Sequence, residues 1–150
     1  MPAYTLRPAT HEDYDFLYQL HVAAMKYLVT HVWGWEDARQ EQFFADHFDP
    51  APARIVVVDG KNVGVIAVEW RETDAFIANI EILPEQQGHG LGAAVIAHVI
   101  EEADARDFPV RLQVLKINPA RRLYERLGFV VTGETETHVL MRRPPSPPGN

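Results

Sequence analysis

The chain contains no cysteine, which excludes disulfide staples, thiol nucleophiles and thiolate metal sites together. It also lacks an excess of positive charge, since 14 Lys and Arg against 21 Asp and Glu leave a formal net charge of −7. Nucleic acid and anionic membrane both require a basic face to displace counterions, so neither is expected as the main partner. No apolar run approaches the roughly 20 residues of a membrane span, and the N-terminus has no charged-then-apolar signal pattern. These absences read as a cytoplasmic protein. The seven histidines are scattered without H-x-x-x-H or H-E-x-x-H spacing, so no metal site is expected.

What is present is an ordinary globular composition, 47% apolar and 23% charged over 150 residues, the size of one domain. The domain is expected over residues 1–142, followed by an unfolded Pro-rich tail over 143–150. Tyr4 to Arg7 suggest a first strand closed by Pro8. Thr10 and Asp13 have capping-box spacing ahead of a helix whose Tyr14, Leu17, Tyr18, His21, Met25 and Leu28 recur on one face. His21 reads as a residue at the edge of the core. An aromatic turn, Val32-Trp33-Gly34-Trp35, precedes a second helix from about Glu36 to His47 with Phe43 and Phe44 inward. Arg54 to Val58 and Asn62 to Trp70 flank Asp59-Gly60 as an antiparallel hairpin, and a further strand leads through Ile80 and Ile82 to Pro84.

The most informative stretch is Ile77 to Ala105, in which that strand ends at Pro84, a Gly-rich turn follows (Gln87-Gly88-His89-Gly90-Leu91-Gly92), and a helical pattern begins inside the turn. Glycines at a helix start bare the backbone N–H groups and aim the positive end of the helix dipole at one point, which suits a phosphate. A P-loop would need Gly-Lys-Ser/Thr, and Gly90 is followed by Leu91 and Gly92. The dinucleotide fingerprint is met literally by Gly88, Gly90 and Ala93, but the next strand, Val110 to Lys116, supplies no acidic residue for a ribose. Leu91, Val95, Ile96, Val99 and Ile100 are expected on the buried side of the helix, with Glu101, Glu102 and Asp104 as its solvated face. The strand after it must run parallel to the one ending at Pro84, because a helix joins them. Asn118-Pro119 reads as N-cap and first position of another helix with Leu123 and Leu127 inward and Gly128 as its stop. Phe129 to Thr132 and His138 to Arg142 then form a last hairpin.

Two of these blocks together resemble a known family. Gln87, Gly90 and Gly92 fit Q/R-x-x-G-x-G/A behind a strand ending Ile82-Leu83-Pro84, and Asn118, Leu123, Tyr124, Gly128 and Phe129 fit N-x-x-A-x-x-L-Y-x-x-x-G-F, with Arg121 in a variable place and the alanine one position early at Ala120. This is similar to the GNAT superfamily of acetyl-CoA-dependent N-acetyltransferases. The resemblance implies an α/β acyl-CoA N-acyltransferase fold, with a mostly antiparallel sheet, one splayed parallel pair and helices on both faces. It implies acetyl-CoA as cosubstrate, with its pantetheine arm on the main chain of Ile82 and Leu83, its pyrophosphate on the amides of Gln87, Gly88, His89, Gly90, Leu91 and Gly92, and further contacts from Asn118 and Arg121. Gln87 and His89 stand where cationic residues are frequent, so the loop would lean on its amides. The implied reaction is direct attack of an amine, of a small molecule or a peptide, through a tetrahedral intermediate, with Tyr124 as proton donor to the leaving sulfur. Glu81 is the first candidate for the base, against an ordinary paired surface carboxylate, and His138 a distant second. The tryptophan turn either pins two helices or walls the acceptor pocket. A noncatalytic acyl-CoA sensor is the alternative reading, and a homodimer is a candidate assembly because dimers are common in the superfamily.

Overall fold

The structure, a computed structural model, describes residues 3–146. In chain order the elements are β1 (Thr5–Pro8), α1 (Tyr14–Trp33), α2 (Asp37–His47), β2 (Ala53–Val58), β3 (Lys61–Trp70), β4 (Ala75–Ile82), α3 (Leu91–Asp104), β5 (Val110–Leu115), α4 (Arg121–Arg126), β6 (Val130–Glu134) and β7 (His138–Arg143). The seven strands have the order β1-β2-β3-β4-β5-β7-β6. The expected element order is therefore present, and β7 lies between β5 and β6. The chain forms two compact units. One takes the chain up to Ala67 together with Asn79–Gly92, and the other takes Val68–Ala78 and the chain from Ala93 onward.

In the first unit β1 pairs antiparallel with β2, and β2 with β3. Asp59 and Gly60 join β2 to β3 with φ of 51° and 75°, the two positive values that a two-residue hairpin turn matching strand twist requires. The core sets Leu17 and Leu20 of α1 against Ala53, Ile55, Val65 and Ala67 of the strands. The start of α1 is tied down as its spacing indicates: the Thr10 N–H donates to the Asp13 carboxylate (2.9 Å), which also accepts two bonds from the Arg7 guanidinium (2.7 and 3.0 Å).

One expectation for the helices needs correction, in α2. The expected stripe of α1 is covered, with Leu17 buried and Tyr14, Tyr18, His21, Met25 and Leu28 half-buried, and Leu20 and Val29 are buried as well. Tyr14 and Tyr18 turn toward Phe44 of α2, with ring centroids 5.3 and 5.2 Å apart. Phe43 is 60% exposed and stacks on His47 at 4.1 Å. Neighbouring helical residues point about 100° apart, so a helix with one covered face takes in only one of the pair.

In the second unit β4 and β5 run parallel through Ala75↔Val110, Phe76↔Arg111 and Ile77↔Leu112, as a helical crossover demands. Antiparallel β7 pairs with β5 over six residues and with β6 on its other edge. Leu91, Val95, Ile96, Val99 and Ile100 of α3 are all buried, so the 3.6-residue period is correct there. Asp104 is not part of a solvated face. It accepts hydrogen bonds from Arg143 (3.3 Å) and from the Ser146 backbone (3.0 Å) and hydroxyl (2.8 Å). Arg143 is the last residue of β7 and Ser146 bonds to Asp104, and residues 147–150 of the expected tail lie outside the described residues. No helix among the described residues is long and apolar enough to cross a membrane.

Two predictions follow from the first unit. A Cβ at Gly64 would stand 2.7 Å from both the Glu81 carbonyl oxygen and Ile82 Cδ1, so Gly64→Ala should lower the stability found by urea titration by about 1–3 kcal/mol, the usual cost of overpacking. The Arg7 hydrogen bond holds the Asp13 carboxyl below its ordinary range, against burial that pushes it up. A depressed carboxyl adds stability above its unfolded value, about pH 3.9, and loses it as pH falls through the folded value. Urea midpoints measured down that limb should therefore fall less steeply for Asp13→Asn than for the wild type.

Candidate functional site

After Ile82 the chain makes one 3-10 turn, Pro84–Gln86, and enters the glycine turn before α3 begins at Leu91. Gly88 and Gly90 both have φ of 82°, a left-handed conformation in which a Cβ is strained. The Cβ positions of Gly88, Gly90 and Gly92 meet no atom within 4 Å. An anion can therefore approach this backbone without displacing protein, and α3 is a 14-residue helix whose N-terminal N–H groups have no intrahelical acceptor. His89 is exposed in the turn. The Gln87 side chain turns back, its amide donating to the Ile82 carbonyl (2.8 Å), and the Leu83 N–H donates to the Val63 carbonyl (2.9 Å). The expected free main-chain groups at Ile82 and Leu83 thus have partners within the chain, though a carbonyl oxygen has a second lone pair to offer.

Glu81, expected as the base or else as an ordinary paired surface carboxylate, is buried. Its side chain is 4% exposed, and its Oε2 lies 2.9 Å from Nδ1 of His21, within hydrogen-bond distance. Both faces of β4 are covered at its end, since Glu81 and Ile82 are both buried, while Asn79 is open. His21 lies tilted against Trp35 and Phe44, with centroids 6.1 and 5.8 Å away. Trp35 is itself fixed by its indole N–H to Asp37 (2.7 Å) and by Lys26 over its ring (5.6 Å). The tryptophan turn therefore divides: Trp35 packs beside His21, and Trp33 is 59% exposed.

In the second unit Asn118 precedes α4 rather than capping it at the expected position. Its Oδ1 accepts the Ala120 N–H (2.9 Å), and the helix starts at Arg121. Arg121 is half-exposed beside Glu125 at 3.8 Å. Tyr124 is buried, edge-on to Phe129 at 6.0 Å. Among the described residues its hydroxyl has no hydrogen-bond partner, and no fully buried side-chain oxygen or nitrogen lacks one, so the hydroxyl must reach the surface. Burial pushes the phenol's pKa up, which keeps it protonated at neutral pH and able to donate. His138 hydrogen-bonds the Thr137 hydroxyl (2.8 Å) at the start of β7. A separate groove of about 370 Å³ is lined by Arg71, Arg111 and Met141 among others, but both arginines are already held by Asp74 and no candidate residue faces it.

His21 is half-buried at the edge of the core, as expected, but its contact with Glu81 was not legible in the sequence. Its partner is 60 positions away, and no local period or motif joins a helix histidine to a strand glutamate.

The model of the Acetyltransferase (GNAT) family matches residues 14–129. The chain belongs to this family. A protein of Bacillus subtilis (strain 168), provisionally named a ribosomal protein bS18-alanine N-acetyltransferase, is 28% identical over 123 residues, covering 79% of this chain and 75% of its own. Among solved structures, the PaiA N-acetyltransferase of Thermoplasma acidophilum in complex with coenzyme A superposes with a TM-score of 0.79 at 14% identity, over 95% of this chain and 99% of that one. The ribosomal-protein-S18-alanine N-acetyltransferase of Escherichia coli gives a TM-score of 0.72 at 23% identity, over 98% and 97%. Likenesses at these identities establish the fold alone. The GNAT chain described here therefore has the acyl-CoA N-acyltransferase fold that its two motif blocks imply, and it is an acetyltransferase.

Proposed function

We propose that the protein moves acetyl from acetyl-CoA to a primary amine, and that the acceptor is the N-terminal α-amine of a protein or peptide. The observation that carries the first part is the glycine turn, whose backbone is open to solvent on the side where Cβ atoms would stand. In this reading the amides of Gln87, Gly88, His89, Gly90, Leu91 and Gly92 take the pyrophosphate, the Ile82 and Leu83 main chain takes the pantetheine arm, and Asn118 and Arg121 add polar contacts. The bound cosubstrate supplies an activated acetyl thioester. The choice of acceptor rests on the names carried by the Bacillus and Escherichia proteins.

Two proton movements accompany acyl transfer, and this chain has a group suited to each. The Tyr124 hydroxyl, kept protonated by burial, gives its proton to the departing sulfur. The Glu81 carboxylate provides the negative charge that favours loss of a proton from the acceptor. An α-amine with pKa near 8 costs only about 1.4 kcal/mol to deprotonate at pH 7, against about 4.6 for a lysine amine near 10.4.

Acetyl-CoA-dependent thiol release should occur with peptides bearing a free N-terminus and be absent with the same peptides blocked; release only with lysine side chains or small amines would refute the α-amine assignment. Gly92→Val adds bulk where nothing stands within 4 Å and should raise the coenzyme A dissociation constant tenfold or more, about 1.4 kcal/mol, in calorimetry, with an unchanged melting temperature. Tyr124→Phe should lower kcat about 10²-fold and leave that dissociation constant alone, whereas a noncatalytic sensor would show no turnover to lose.

A further inference from the structure

We propose that His21, not Glu81, is the atom-level proton acceptor of the reaction, and that Glu81 is the residue that positions and charges it. This rests on the acetyl transfer proposed above and assigns its base. The contact between them, His21 Nδ1 to Glu81 Oε2 at 2.9 Å, has an asymmetry that decides the roles. A carboxylate can only accept, so Nδ1 carries the hydrogen, and the other ring nitrogen, Nε2, is left with its lone pair.

Nε2 is also the nitrogen that reaches the outside. It has no hydrogen-bond partner among the described residues, and no fully buried side-chain nitrogen lacks one, so Nε2 keeps accessible surface. The His21 side chain is 25% exposed, while that of Glu81 is 4%. The carboxylate is therefore badly placed to meet an acceptor itself and well placed to hold the ring. The ring is held from its sides too, by Trp35 and Phe44. Among the described residues the charged groups near this cluster include Glu81 on β4, Lys26 on α1, and Asp37 and Glu41 on α2; Lys26 pairs with Asp37 beside Trp35 (3.8 Å), and Glu41 acts on Tyr18, which packs on Phe44. That leaves Glu81 as the charge in direct contact with the imidazole.

The step balances as follows. Nε2 takes one proton from the acceptor's ammonium, and the imidazolium that forms is stabilised by the Glu81 carboxylate, which stays ionised. The freed lone pair makes the new N–C bond as the C–S bond breaks, the sulfur leaves as a thiol with the proton of the donor proposed above, and the second amine proton passes to solvent, from which that donor is restored. His21 returns its proton to water. No oxidant, reductant or further reactant is needed. A side chain acting this way contributes about 10²–10⁴-fold.

The test combines kinetics with a readout that needs no turnover. In long-range ¹H–¹⁵N spectra of the wild type, His21 should show the Nδ1–H tautomer when neutral, and Glu81→Gln should lose that preference. His21→Gln should lower kcat/KM about 10²-fold or more and recover activity when imidazole is added to the assay, which a merely structural loss would not. Glu81→Gln should lower kcat/KM less than His21→Gln does and gain nothing from added imidazole. A wild type that releases thiol while His21→Gln retains its rate within about threefold would overturn the base assignment and leave acetyl transfer standing. Absence of thiol release from the wild type with every amine would remove the transfer reading itself. An Nε2–H tautomer in the wild type, which leaves no lone pair facing outward, overturns the inference whatever the activity.

Discussion

β4 stays bonded to β3 beyond its own last residue, through the Leu83 N–H and the Val63 carbonyl at 2.9 Å. That bond is possible because Gly64 lets the Glu81 carbonyl and Ile82 come closer than any Cβ would allow. It fixes where the strand stops, and therefore where the chain turns at Pro84 and offers its glycines. It also fixes the rotation of the last strand residues, which sends Glu81 inward to meet His21. Two features with different chemistry, an anion cradle and an ionic hydrogen bond, thus depend on one close approach of two backbones.

The parallel pair has the opposite character. Its register covers three residue pairs, ending at Ile77↔Leu112, although β4 continues to Ile82 and β5 to Leu115. A strand whose main-chain groups are matched for only part of its length leaves donors and acceptors that must be satisfied by something else. Part of that demand at the end of β4 is met by the Gln87 side chain on the Ile82 carbonyl. A long polar side chain at this position has a local structural use beside any contact with a ligand.

The sequence made some of this legible and hid the rest for identifiable reasons. The glycine turn, the face of α3 and the parallel sense of β4 and β5 follow from local spacing and handedness, which act over a few residues or a single crossover. The closing strands were also readable, because Gly128 has to leave the helical region, and its φ is 97°. What was hidden depended on partners far along the chain. Glu81 was readable as a paired surface carboxylate because nothing local shows what covers it, and its contact is with His21 of α1. Asp104 looked like one more helix-surface acid until Arg143 and Ser146 took it up. Phe43 and Phe44 were indistinguishable by type, and only the placement of Tyr14 and Tyr18 chose between them. The Asn118 displacement is of another kind: an Asx bond to a residue two places on was read as a cap to the helix itself.

The exchanges of chain between the two compact units fall inside β3, inside β4 and inside α3. None of these boundaries coincides with a loop, so a cut made there would sever a ladder or a helix rather than a tether. For protein engineering this means that the natural places to split a gene into complementing halves are not the borders of the units but the connections elsewhere, such as the turn at Asp59-Gly60. For descent it means that neither unit is one contiguous stretch that could pass between genes as a single cassette.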